Sequence, residues 1–228
     1  MTGWELQQTT VTAASVEGSE TARRALNLTV AGLGLLLTAP VMFLIAALIK
    51  LTSRGPVLYT QTRVGVDRRQ PAFGDSNHRR EKDQGGRPFT IYKFRTMHVA
   101  NSAVPEVWAT RDDPRVTTIG RILRKYRLDE LPQFLNVLRG DMNVVGPRPE
   151  QPKIFARLRE QVPGYQTRQR VPPGITGWAQ VNQRYDTSID DVRRKVSFDL
   201  EYVARRSVLE DLRILARTVP VVLNKGGW

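Results

Sequence analysis

Residues 25–49 form a run of 25 without a single charged side chain, ALNLTVAGLGLLLTAPVMFLIAALI. A membrane helix needs ~20 such residues, so this run constrains the fold more than any other feature. A secretory signal peptide fits poorly. The run exceeds the usual ~7–15-residue apolar region, and no small-residue cleavage site precedes Lys50 and Arg54. A buried core helix also fits poorly, because an uncharged run of this length is rare in a globular core. Pro40 sits inside the run, after Thr38 and Ala39. Proline removes a backbone donor and clashes one turn back. Membrane helices tolerate it where neighbouring groups satisfy the freed carbonyl. Arg23 and Arg24 precede the run, and Lys50 and Arg54 follow it. A spanning helix usually keeps its basic excess on the cytoplasmic side only. Two basic ends are what a re-entrant hairpin would show, with Pro40 near the bend. On these residues alone, hairpin and single span stay equally open.

Charge divides along the same line. The 228 residues carry 35 Lys+Arg against 22 Asp+Glu, a net charge of +13. Residues 1–24 hold two arginines against Glu5, Glu17 and Glu20, or −1, so residues 50–228 hold the remaining +14. The positive-inside tendency places that part in the cytoplasm. So basic a balance calls for an anionic partner: nucleic acid, a phospholipid surface or a phosphorylated substrate. The absence of cysteine excludes disulfides, thiolate nucleophiles and Cys-based zinc sites. His78 and His98 are too few for a multi-histidine metal site.

The remaining segments suggest a small mixed domain. Residues 1–20 are polar and without period. Residues 56–61 and 90–94 read as two strands that pair as a hairpin. The stretch between them, about residues 66–88, is polar and charged and reads as an insertion. Residues 119–126, 131–138, 153–162 and 189–206 show helical apolar spacing. Residues 208–223 are more apolar and carry Arg213, Arg217 and Pro220, which suits either an interfacial helix or a core helix of the soluble domain. Residues 141–150 and 170–174 read as turn-rich breaks.

With no cysteine and little histidine, chemistry falls to carboxylates, arginines and lysines. Arg121, Arg124, Lys125 and Arg127 lead directly into Asp129-Glu130. Adjacent carboxylates repel, so cations or a metal must offset the cost. Two carboxylates suit Mg²⁺, which also bridges phosphate oxygens. A carboxylate can instead be a nucleophile toward phosphorus. The plainer reading is a pair of acids at the start of a helix near Leu131. Gly146-Pro147-Arg148-Pro149 is a rigid turn presenting one guanidinium, whose fork matches phosphate oxygens. Lys93 and Arg95 lie at the end of the second strand. Residues 172–182, PPGITGWAQVN, form a loop suited to a nucleobase or sugar, or else a packed turn around Trp178, and Arg184 follows shortly.

In this order, IYKFRTM, LDELPQFLNVLRGDM, VGPRP and PPGITGWAQVN behind a proline-containing apolar run resemble the bacterial sugar transferase family. These are monotopic polyprenyl-phosphate phosphoglycosyl transferases, and the size resembles their minimal members. The resemblance implies transfer of a phosphosugar from a UDP-sugar to polyprenyl phosphate, with release of UMP. It implies Asp129 as the nucleophile that carries the phosphosugar, and Asp129 with Glu130 as the Mg²⁺ site. Lys93, Arg95, Arg124, Arg148, Arg184 and Asp211 are the expected substrate-binding positions. The apolar run becomes a re-entrant helix bent at Pro40, although Ala39-Pro40 replaces the Ser-Pro or similar pair of relatives.

The resulting expectation is an α+β protein. A polar tail (residues 1–22) precedes a re-entrant membrane helix (23–52) broken at Pro40. A mainly helical cytoplasmic domain (53–228) follows, with a small β-hairpin and interfacial amphipathic helices. The expected setting is the cytoplasmic face of the bacterial inner membrane. Expected partners are the donor, the acceptor and the phospholipid bilayer, with a homodimer and downstream glycosyltransferases as further associations and no nucleic acid. Two rivals remain. One is a membrane-anchored basic protein that binds nucleic acid, in which the Asp-Glu pair has no role. The other is a non-catalytic membrane scaffold, against which the intact pair argues. No residue selects the sugar.

Overall fold

The computed structural model describes residues 14–68, 85–98, 113–183 and 188–223, with side chains from residue 20 onward. Most of the predicted insertion and Arg184 lie outside the described residues.

One helix dominates. α1 (Ala14–Thr52) starts inside the stretch read as a polar tail and runs unbroken through Pro40. The expected break is therefore not an interruption of the helix. Pro40 removes one backbone donor. Close by, the Thr38 hydroxyl donates to Gly34 O at 2.6 Å, a back-bond of the kind that bends helices.

Along α1, a stripe at helical spacing faces the rest of the protein: Arg23, Asn27, Ala31, Ile45 and Ile49 are buried. Gly34 belongs to the same stripe, and a Cβ there would lie 2.8 Å from the Phe134 ring. The other faces are bare. Leu36, Leu37, Phe43 and Leu51 are each more than 70% exposed. So large an apolar surface marks a membrane or partner contact. The helix is long and apolar enough to cross a membrane.

A β-hairpin follows. β1 (Leu58–Val64) pairs antiparallel with β2 (Pro88–Phe94), from Leu58 opposite Phe94 to Val64 opposite Pro88. Alternation along β2 sends Phe89 and Ile91 to one core cluster and Phe94 to another. The first cluster takes in Ala31, Val137 and Met142; the second takes in Ile45, Ile49 and Leu123. The hairpin thus packs against both the first and the second half of α1. The insertion's ends are fastened to the domain. Gly65 N donates to Arg87 O, and Asp67 N donates to Gln169 O.

α2 (Thr118–Lys125) is capped by Thr117, whose hydroxyl accepts from Gly120 N at 2.9 Å. A single 3₁₀ turn, Leu128–Glu130, leads into α3 (Gln133–Arg139), which ends on Gly140 in the left-handed conformation. One strand too short for pattern reading lies within the first turn-rich break, and another starts at the last residue of the second. β3 (Asn143–Val145) pairs in parallel with β4 (Gly174–Thr176). α4 (Pro152–Gln161), α5 (Trp178–Asn182), α6 (Ile189–Arg205) and α7 (Val208–Leu223) complete the domain. A Ser188–Asp191 capping box starts α6.

Candidate active site

Three elements converge on the Asp-Glu pair. Arg127 adopts φ 56°, left-handed and uncommon for a residue with a side chain. This turn carries the chain from α2 into the 3₁₀ turn that bears Asp129 and Glu130, both buried. Lys93 arrives from the end of β2, on the same face as Ile91. Asn136 of α3 fixes that strand by accepting from Tyr92 N at 3.1 Å and donating to Thr90 O at 2.7 Å. The strand carrying the lysine and the helix following the acids are thereby tied together.

The two carboxylates are not equivalent. Glu130 Oε1 accepts from Lys93 Nζ at 2.7 Å and from Arg148 Nη2 at 2.8 Å. Arg127 Nη1 lies 3.9 Å from Glu130 Oε2. Asp129 accepts no hydrogen bond from the described residues, and Lys93 Nζ stands 3.9 Å from its Oδ2. Burial alone would raise the Glu130 carboxyl, but Arg148, Lys93 and Arg127 outweigh it and hold Glu130 well below the usual range. Burial raises the Asp129 carboxyl, and the Glu130 charge adds to the rise; Lys93, Arg124 and Arg148 oppose it only in part. One acid is locked into charge pairs while its neighbour is left with free lone pairs.

Arg148 is held by a turn with little freedom. Gly146 N donates to Thr176 O, and Gly174 N donates to Pro147 O, each at 2.9 Å. A Cβ on Gly146 would lie 2.4 Å from Pro172 O, and one on Gly174 would lie 2.1 Å from Gly146 N. Only glycine permits this approach. VGPRP and PPGITG, two motifs in the sequence, are one packed crossing in space. Arg168 donates to the Arg148 carbonyl at 3.0 Å, and Arg63 donates to the Pro149 carbonyl at 3.1 Å.

Other predicted site residues lie elsewhere. Arg124 Nε donates to Thr96 Oγ1 at 3.0 Å, with its charge acting on Asp129. Arg95 is placed at the end of α1 rather than beside the acids. Its guanidinium donates to Ser53 O at 2.9 Å and to the Arg54 carbonyl, a cation capping a helix C-terminus. Asp211 is also in another place. It accepts from Arg23 Nε at 2.9 Å and from the Tyr202 hydroxyl at 2.7 Å, joining α1, α6 and α7. Trp178, at the start of α5, donates to Glu201 at 2.7 Å, with Arg217 4.8 Å from its ring. Arg63, Arg127 and Gln133 were not among the predicted site residues. Arg127 had a signal in the basic run before the acids; Arg63 and Gln133 had none.

Asp129 and Glu130 are hard oxygen donors, and no group of three or more acid, histidine or cysteine ligands exists among the described residues. Such a set fits Mg²⁺, which takes one or two carboxylates and completes its shell with phosphate oxygens and water.

A buried acid pair among cations stands on a domain whose first helix is long and apolar enough to cross a membrane. The chain belongs to the bacterial sugar transferase family, which matches residues 18–225. It is 42% identical over 199 residues to the UDP-glucose:undecaprenyl-phosphate glucose-1-phosphate transferase of Escherichia coli K12, covering 86% of this chain and 39% of that protein. The Caulobacter vibrioides protein of the same name is 40% identical over 204 residues, covering 89% and 70%. The UDP-N-acetylgalactosamine-undecaprenyl-phosphate N-acetylgalactosaminephosphotransferase of Aeromonas hydrophila is 38% identical over 205 residues, covering 90% and 44%. The chain spans less than half the length of the first and third of these relatives.

Proposed function

We propose that this protein transfers a phosphosugar from a UDP-sugar to undecaprenyl or a similar polyprenyl phosphate, with Asp129 as nucleophile. The observation that carries this reading is the inequality of the two acids. Glu130 has an oxygen committed to Lys93 and Arg148, whereas Asp129 keeps its lone pairs. An Asp129 oxygen bonds to the phosphorus next to the sugar. The bond from that phosphorus to the bridging oxygen breaks, and UMP leaves with the electron pair. A phosphate oxygen of the acceptor then attacks the same phosphorus and returns Asp129 to a free carboxylate. Lys93 and Arg148 balance the charge on the diphosphate, and Glu130 orients both. Mg²⁺, held by Asp129 and Glu130, would neutralise further phosphate charge as a Lewis acid. Relatives named for glucose and for N-acetylgalactosamine share these residues' family, so the sugar stays open between such classes.

The anchor enters and leaves by one membrane face. Near its start, Arg23 pairs with Asp211 and Arg24 donates to Val137 O at 2.8 Å. At its end, Arg95 holds Ser53 while Ile49 packs with Phe94 and Leu123. Both ends of α1 rest on the same domain, which occupies the cytoplasmic side of the inner membrane. The site then lies at headgroup depth, where a lipid phosphate arrives.

Incubation with a radiolabelled UDP-sugar and no acceptor tests the chemistry. One equivalent of UMP should be released, with sugar label on the protein, and Asp129→Asn should abolish both. Full UMP release by Asp129→Asn would sink the assignment. Because the chain lacks cysteine, Thr21→Cys and Arg54→Cys test topology. A membrane-impermeant maleimide should reach both from the same side; labelling from opposite sides would mean a span.

A further inference from the structure

We infer that Arg63 and Gln133 complete a phosphate subsite beside the acid pair, together with Lys93 and Arg148. The inference rests on the proposed function for the identity of its ligands. A shallow surface recess is lined by Arg63, Ile91, Lys93, Gln133, Arg148 and Pro149. Its lining holds three cations and an amide, and no acid. Lys93 and Arg148 share a single acceptor, Glu130 Oε1.

The other two polar side chains carry donors with nothing to meet. Gln133 is 2% exposed, yet its Nε2 finds no acceptor among the described residues. Arg63 Nε is buried and also lacks one, although Nη1 of the same group donates to Pro149 O at 3.1 Å. A buried donor left unpaired costs free energy, and native structures seldom carry two in one recess without a reason. The missing component is an anion rich in acceptor oxygens. A phosphate group has that chemistry, and a guanidinium is its natural partner.

The placement joins two separate parts of the sequence. Gln133 opens α3, one helical turn beyond Asp129 and Glu130, so one short segment would supply both the nucleophile and a phosphate donor. Arg63 lies on β1 opposite Phe89, next to the partner strand that delivers Lys93. The phosphate belongs either to the nucleotide donor or to the lipid acceptor, and the two sources can be separated.

The experiment titrates the full chain in lipid nanodiscs with two probes that undergo no turnover, UDP and a short-chain polyprenyl phosphate. Gln133→Met keeps the side-chain volume and breaks no observed hydrogen bond. Arg63→Gln removes the cation and keeps a side-chain amide. Each should weaken binding of one probe by about ten- to hundred-fold, the loss expected for hydrogen bonds to a charged group, while uridine binding stays constant. Weakened UDP binding assigns the subsite to the donor, and weakened lipid binding assigns it to the acceptor. Wild-type affinity of folded Gln133→Met for both probes would overturn the inference, even if Arg63→Gln failed to fold. If wild-type protein bound the probes but released no UMP from any UDP-sugar, the proposed function would fail and the subsite would stand.

Discussion

Two buried clusters in this protein use the same ingredients and finish differently. Around Asp129 and Glu130, cations are unevenly shared; among the described residues, one carboxylate lacks hydrogen bonds and nearby donors have no acceptor. Behind the same Arg148 turn, Arg168 pairs with Asp199 at 2.7 Å, and Lys195 donates to Glu150 at 2.7 Å. Arg168 also takes the Arg148 carbonyl and the Tyr165 hydroxyl. That second cluster spends its charge on itself. Total charge does not separate these two clusters; completeness of pairing does. A closed network fixes geometry, whereas an open one keeps capacity for a ligand.

The sharpest break between the clusters is Asp129→Asn. Its effect on turnover should exceed about 10³-fold, as expected when a nucleophile is lost. Stability should move the other way. The folded environment raises the Asp129 carboxyl above its ordinary value, so its ionised form costs folding free energy at neutral pH. A neutral amide removes that cost, and the denaturation midpoint should rise. A midpoint that falls would mean Asp129 belongs with the closed network.

Arg168→Met attacks the brace. Asp199 would stay buried without its partner, and the Arg148 carbonyl would lose its donor. Removing one partner of a buried pair costs about 3–5 kcal/mol, so denaturant unfolding should show a loss of that order. The double variant Arg168→Met/Asp199→Leu should recover much of it. No recovery would show that Arg168 acts through its carbonyl contact and not through the pair.

Acid separates the clusters next. Lys195 and Arg168 outweigh burial and hold the Glu150 carboxyl at about 2, against 4.5 for the free group. A depressed carboxylate contributes stability above its unfolded value and loses it as pH falls toward its folded one. That amounts to about 3 kcal/mol, lost between roughly pH 4.5 and 2. The stability gap between wild type and Glu150→Gln should therefore shrink across this window. A gap independent of pH would refute the pairing.

How far the sequence revealed this arrangement depended on the range of each signal. The adjacent acids Asp129 and Glu130 after four basic residues stood out as a local electrostatic problem, but their proposed role came from the family resemblance and not from that pattern alone. The main helices were legible from apolar spacing. β3 and β4 were not, since three-residue strands inside Pro-Gly turns leave no period to read. Arg95 shared a stretch with Lys93, but β2 ends at Phe94 and alternation gives no direction beyond it. Asp211 meets an arginine 188 residues away, and no local pattern encodes that partner. Gln133 was hidden because an amide at a helix start is unremarkable until its neighbours are known.

The smallest expected effect tests whether closed clusters only brace. Tyr202 accepts from Arg23 Nη2 at 2.7 Å, and its hydroxyl lies 2.7 Å from Asp211 and 3.2 Å from the Val145 carbonyl. Val145 directly precedes the Gly146-Pro147-Arg148 turn, so this cluster links the membrane helix to the strand that presents Arg148. Tyr202→Phe deletes the hydroxyl but keeps the ring. The loss should be about 1 kcal/mol, the usual net worth of a hydrogen bond, with kcat and donor KM within about twofold of wild type. If kcat fell about tenfold at unchanged KM, α1 would be coupled to the catalytic turn through Tyr202, and the division between brace and site would have to be redrawn around that hydroxyl.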